Sequence, residues 1–271
     1  MKKLMFTTIV FLIVLVLKVN YISAQTFLFQ NLPKEKSQIG LRIMRPSFES
    51  DEDLSFLSGL YDFSVNIPLT ESLNLVGSIP FITFAFGDRD AESGVGSIFL
   101  GLQTCWGFED KNGSIGTFGI FAPTSSEDIG FFGLFTDYNN LHKYLPDLLT
   151  IYGNYAYHAI LSEGIKLGVE IGPNLAIPTK GDADAEFFIH YGFTAGYQAE
   201  YFAIFTELVG LAIITEDADD FSDRFIHSID FGAIYISNSL EPGLFYKLYL
   251  DEDLSDVITG VFGIQVNVLI N

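Results

Sequence analysis

Beyond residue 37 the apolar and polar positions alternate. Tyr61, Phe63, Val65 and Ile67 fall on one side of an extended segment, with Asp62, Ser64 and Asn66 on the other. Ile165, Leu167, Val169 and Ile171 oppose Lys166, Gly168, Glu170 and Gly172 in the same way. Ile258, Phe262, Ile264, Val266 and Val268 oppose Thr259, Gly263, Gln265 and Asn267. A period of two is the signature of strands with two unlike faces. Twelve such segments centre near residues 43, 63, 77, 100, 118, 154, 169, 192, 207, 231, 246 and 263. Many run longer than the usual strand of about five or six residues. They suit the roughly nine to eleven tilted residues that cross an outer membrane. The polar side is mostly Gly, Ser, Thr, Asn and Gln. That suits a confined lumen better than the Lys- and Glu-rich outer face of a secreted sandwich. The pattern predicts an all-β fold, a transmembrane antiparallel up-and-down β-barrel of about twelve strands.

The connections sharpen this. An even strand count places both termini on the periplasmic side, so long extracellular loops should alternate with short periplasmic turns. The odd connections (49–57, 87–94, 123–147, 179–185, 215–224, 251–256) are longer than most of the even ones (68–72, 108–113, 162–164, 199–201, 237–241). Twenty-three of the 34 acidic residues fall in or at the rim of the odd set, Asp137 among them. Those acids are either a repulsive, soluble cell-surface face or a site for divalent-cation capture. The runs lack the spaced ligands and central Gly of a calcium loop.

Residues 1–24 read as a cleavable signal peptide. Lys2 and Lys3 precede an apolar run over 5–17, and Ser23-Ala24 supplies small residues for cleavage. The run is shorter than a bilayer-spanning helix of about 20 residues. Residues 25–37 are then a periplasmic segment and 38–271 a single barrel domain. Cys105 is the one cysteine, so neither a lipid-bearing N-terminal thiol nor an intramolecular disulfide is available. With 14 Lys+Arg against 34 Asp+Glu and a net charge of −20, a nucleic-acid partner is excluded. At 49% hydrophobic the chain is not a disordered one. The expected location is the outer membrane, with its lipid as partner.

In a closed barrel the polar faces meet in the lumen. Arg42, Asp62, Lys166, Glu170, His190, Glu207, Asp230 and Lys247 are the expected lumen-lining residues, with His158 beside them. Arg42 and Asp62 lie on neighbouring strands, as do Asp230 and Lys247, which admits either a filling salt-bridge network or a polar constriction. Trp106, Tyr157, Tyr197 and Tyr235 fall near the ends of descending strands on the apolar face, where they suit an interfacial aromatic girdle. Phe131, Phe132, Leu134 and Phe135, in the 123–147 loop, suit an inward-folded constriction with an apolar entrance.

No catalytic, cofactor or metal site is expected. The four His residues are scattered without metal-ligand spacing, and no Gly-rich phosphate loop leads from a strand into a helix. His227 and Ser228 are adjacent, so in a strand they point to opposite faces and form no surface hydrolase pair.

The stretch GVGSIFLGLQTCWGFEDKNGSIGTFGIFAPT (94–124) is a Gly-led strand, a short polar turn and a second strand closing on Pro-Thr. It resembles hairpins of the phenol-degradation meta-pathway transporter-like family of barrels. EPGLFYKLYLDEDLSDVITGVFGIQVNV (241–268) is similar to their closing hairpins. The resemblance implies an outer-membrane location and passage of small, often aromatic or apolar solutes. It carries over no binding residues. The Leu269-Ile270-Asn271 terminus departs from the aromatic ending of many bacterial barrels. The sequence points to a passive channel, with a closed structural or adhesive barrel as the alternative.

Overall fold

A computed structural model describes residues 36–49, 54–87, 90–107, 112–161, 164–215 and 224–270. The expected signal peptide (1–24), most of the expected periplasmic segment (25–37) and the acids Asp51, Glu52, Asp53, Asp88, Glu216, Asp217, Asp219, Asp220 and Asp223 lie outside these residues. The alternating segments form the strands β1 (Ser37–Phe48), β2 (Gly59–Pro68), β3 (Leu73–Phe84), β4 (Glu92–Val95), β5 (Phe99–Trp106), β6 (Asn112–Phe121) and β7 (Leu148–Ile160). They continue through β8 (Ile165–Pro178), β9 (Glu186–Gln198), β10 (Phe202–Ile213), β11 (Phe225–Tyr235), β12 (Leu240–Tyr249) and β13 (Ile258–Ile270). Each pairs antiparallel with its neighbours. β1 closes the circle on β13, with Arg42 opposite Gln265 and Ser37 opposite Ile270. β4 and β5 both pair with β3 and are two halves of one wall strand, so the barrel has twelve.

The alternation translates into two faces. Leu100, Phe118, Val169, Ile171, Leu208, Phe231, Leu244 and Ile264 stand exposed around the outside. So wide an apolar belt is stable only against lipid. Their neighbours along each strand, among them Gln103, Thr117, Asn154, Asn174 and Gln265, are buried inside.

A twelve-stranded wall encloses more space than its own side chains fill. The connection 122–147 fills it. It turns into the barrel as a 3-10 turn (Glu127–Ile129), a helix α1 (Gly130–Thr136) and a further 3-10 segment (Tyr138–Lys143). Ile129, Phe132 and Tyr144 pack with Met44, Leu60 and Ile82 of the wall. Leu141 packs with Leu148, Ala176, Phe188 and Leu211. The hydrophobic core is thus made between the wall and its own loop. Asp147 closes the loop in the left-handed region (φ 53°), which Asp tolerates better than most residues.

The outer face and the loop should respond differently to charge. Leu208→Arg, at the middle of β10 on the exposed face, is expected to destabilise the folded barrel by about 2–4 kcal/mol. Phe56→Arg, in an exposed loop position, should change it little. Urea titration of folding into lipid vesicles measures both.

Candidate functional site

The wall is interrupted where the loop meets it. Between β4 and β5 residues 96–98 leave the ladder beside Pro80 of β3, which has no N–H to donate. Gly96 N–H donates to the Pro80 carbonyl (2.8 Å) and Ser97 N–H donates to the loop carbonyl of Lys143 (2.7 Å). A Cβ on Gly96 would sit 2.5 Å from that same carbonyl oxygen, so only glycine lets the loop backbone lie there. Thr124 Oγ1 accepts from Ile98 N–H (3.0 Å) and donates to the Gly96 carbonyl (2.8 Å), tying the start of the loop to the same break.

Across the lumen the loop is fastened by charge. Lys143 Nζ lies 2.8 Å from Asp62 Oδ2 of β2, and Lys247 Nζ of β12 lies 2.8 Å from Asp137 Oδ1. The loop gives a cation to a wall acid and an acid to a wall cation. Asp137 also accepts from Asn140 Nδ2 (3.0 Å) and from the Tyr144 hydroxyl (3.2 Å). Asn139 Nδ2 donates to Ser228 Oγ (2.7 Å), and Tyr138 N–H donates to the Tyr249 hydroxyl (2.9 Å). Burial alone would push the Asp137 carboxyl up. The surrounding Lys247, Lys143 and Arg42 hold it well below the usual carboxylate range.

On the opposite side the contact is aromatic. His142 meets Phe121 edge-on at 4.3 Å between centroids, lies near-parallel to Phe188 at 5.7 Å and tilts against Tyr152 at 5.9 Å. Tyr152 stacks on His190 (5.3 Å, 2°). Asn174 Nδ2 donates to His190 Nδ1 (2.8 Å), which leaves the Nε2–H to donate to Asn154 Oδ1 (3.1 Å). The ring of His190 lies over Gly172, where any Cβ would overlap it.

Arg42, Asp62, Lys166, Glu170, His190, Glu207, Asp230 and Lys247 are all under 9% exposed and on the inner face. Glu207 accepts from Thr194 Oγ1 (3.0 Å). The neighbouring-strand pairs Arg42 with Asp62 and Asp230 with Lys247 are in register. The short contacts of Asp62 and Lys247, however, are to the loop. Sequence reasoning missed Lys143 and Asp137 as their partners, and counted Asp137 with the surface acids. The usable signal was a Lys, a His and an Asp set among apolar residues in a connection too long for a simple turn.

Of the loop apolar set, Phe132 is fully buried and stacks on Phe84 (4.8 Å, 4°). Leu134 and Phe135 are half-buried against the same clusters, whereas Phe131 remains 62% exposed. Trp106, Tyr157 and Tyr197 are exposed on the outer face and Tyr235 is half-buried, all at the short-turn end. His227 and Ser228 separate as their spacing requires. Ser228 is inside on Asn139, and His227 Nε2 meets the Tyr191 hydroxyl (2.7 Å) on the outer side of the wall. Among the described residues no group of three metal-ligating side chains occurs.

No family model matches the chain, and no curated protein matches it in sequence. Solved structures do match its fold. The COG4313 outer membrane channel from Pseudomonas putida F1 superposes with a TM-score of 0.65 at 13% identity, covering 91% of this chain and 100% of that one. The NanC porin aligns at a TM-score of 0.54 with 8% identity over 85% of this chain and 98% of its own. The KdgM porin solved with disordered oligogalacturonate aligns at 0.51 with 7% identity, over the same shares. At such identities the likeness is one of fold.

Asp137→Asn removes the carboxylate that Lys247 faces and is expected to weaken loop docking by about 3–5 kcal/mol. Adding Lys247→Met should recover most of the loss. Limited proteolysis of the 122–147 loop in the folded barrel reads the undocked population. Because Asp137 is held low in the docked loop, its contribution is complete above about pH 4. It is lost progressively below that, until the lower docked value is passed.

Proposed function

We propose that this protein is an outer-membrane channel for small solutes, narrowed or shut in this conformation by its own 122–147 loop. The observation that carries the reading is the fastening of that loop. It is tied to a polar inner wall by ion pairs and a hydrogen bond through its segment 137–143. A barrel serving only as a scaffold has no need of a filling that can be unlatched. The match in fold to outer membrane channels and porins supports the same reading.

On this reading residues 1–24 export the chain, the long acidic connections face outward, and Trp106, Tyr157, Tyr197 and Tyr235 sit at the periplasmic interface. Phe48, Phe84, Phe86 and Phe132 gather at the long-loop mouth, with Phe131 and Phe135 on the same helix. They give the entrance an apolar lining. That agrees with the small apolar or aromatic solutes implied by the resemblance to phenol-degradation barrels. The protein acts without chemistry of its own; its work is passage.

A closed structural barrel is the second reading. The near-complete burial of the inner wall residues favours it. Planar-bilayer recording separates the two. Among the described residues four buried cations (Arg42, Lys143, Lys166, Lys247) face six buried acids (Asp62, Asp137, Glu170, Glu207, Asp230, Glu241). The refolded protein is expected to conduct with a preference for cations, read as the reversal potential in a salt gradient. Glu207→Gln with Glu241→Gln should shift that potential toward zero. Asp137→Asn should raise the conductance. Silence from both the native chain and Asp137→Asn would favour the structural barrel.

A further inference from the structure

His142 sits at the centre of the loop's aromatic contact. It is 1% exposed, and neither ring nitrogen has a hydrogen-bond partner. A neutral imidazole normally satisfies at least its N–H when buried. Here the ring is treated as an aromatic plate, enclosed by Phe121, Phe188 and Tyr152.

The surroundings suit the neutral ring and not the cation. β6 presents Phe121 to it, and Leu211 of β10 packs in the apolar cluster of its neighbour Leu141. Tyr152 of β7 and His190 of β9 are neutral groups, His190 with both its nitrogens engaged. Glu170 of β8 is a neighbour of Tyr152. On the loop itself Lys143 is the next residue, and Asp137 pairs with Lys247 of β12 and accepts from the Tyr144 hydroxyl. Asp62 of β2 is taken by Lys143. Arg42 (β1), Glu207 (β10), Asp230 (β11) and Tyr249 (β12) line the wall beyond these. Burial and the neighbouring Lys143 disfavour a charged His142, and Asp137 opposes them, so its basicity is held well below normal. Attraction between a cation and the flanking rings is smaller than the loss of hydration of a fully buried one.

We propose that His142 is an acid trigger for the channel. Protonation of the ring when the 122–147 loop swings away from the aromatic box holds the loop out of the lumen. This rests on the channel reading above. In the docked loop the imidazole resists a proton; once the loop is free in water it takes one at the ordinary pH of about 6.5. Docking is therefore full above that pH and is lost progressively below it, until the docked value is passed. The carboxylate latch does not respond in the same window, because Asp137 stays ionised there.

The test is single-channel recording of the refolded full chain between about pH 7 and about pH 5. The native protein is expected to gain about tenfold in open probability as the pH falls by roughly one unit below the free histidine value. His142→Phe keeps the aromatic packing, cannot titrate, and should stay at the neutral-pH level throughout. If that variant fails the heat-modifiable gel test for folding, His142→Gln replaces it. A chain locked by Asn139→Cys with Ser228→Cys, in a Cys105→Ser background, should lose the acid response until reduced. Acid opening that persists in His142→Phe, or in the oxidised lock, overturns the proposal. So does a pH-independent native channel. If neither the native chain nor Asp137→Asn conducts at any pH, it is the channel reading that fails.

Discussion

A charge carried into a protein interior must be met by another charge and by hydrogen bonds, or it is not carried in at all. In this barrel that constraint is concentrated on Asp137. Its carboxylate faces Lys247 across the lumen and accepts from Asn140 and Tyr144 on its own segment. Lys143 meets Asp62 in the reciprocal sense. Each wall group also has an opposite charge across its own ladder, Arg42 for Asp62 and Asp230 for Lys247, but neither loop group is tolerable inside without the wall. The two ion pairs therefore fix where the loop lies, and with it the position of the aromatic contact. That in turn sets which half of the lumen is filled by apolar packing and which is left to amides and charges.

The wall is modified to receive the loop. A continuous strand from β4 into β5 would spend its amides on its neighbours. The break at 96–98 instead frees Ser97 N–H for the Lys143 carbonyl, while Gly96 removes the side chain that would block the approach. The same residue, Lys143, is thus held at both ends: its backbone by the wall at β4–β5, its side chain by β2. The opposite side needs no such defect. There Phe121, Tyr152 and Phe188 project from intact strands and close on His142. One side of the loop is specified by direction-dependent polar contacts, the other by shape.

Much of this could be read from the sequence, for a simple reason. A strand's side chains alternate strictly, so Tyr61 and Phe63 outside with Asp62 inside follows from spacing alone. Loop length and strand count then order the connections. What spacing cannot supply is who meets whom across the circle. Asp62 was legible as an inward acid opposite Arg42, and the register agrees. Its short contact with Lys143 is separated by 81 residues. The interior aromatics Phe99, Phe121, Tyr152 and Phe188 were equally hidden. An apolar residue on the polar side of a strand carries no mark of the loop that will cover it. Phe131 shows the converse: it shares the composition of Phe132 but the helix turns it outward, a matter of helical phase within α1 that a period-two reading does not address.

The choice of fastenings has a consequence for how permanent the filling is. An apolar loop packed to native density would be held by area alone and would leave only with the cost of exposing all of it. The loop here splits its attachment between apolar packing against the wall and a few charged contacts. Charged contacts inside a barrel are strong only while geometry and ionisation are both right, because the desolvation they must offset is of the same order as their attraction. Removing or adding one charge therefore shifts the balance by a large fraction of the whole. The wall has no such sensitivity, since its ladders close on themselves and every strand but the short β4 has two partners. Stability resides in the circle of strands, and the fold is most sensitive to a single charge in what is folded into it.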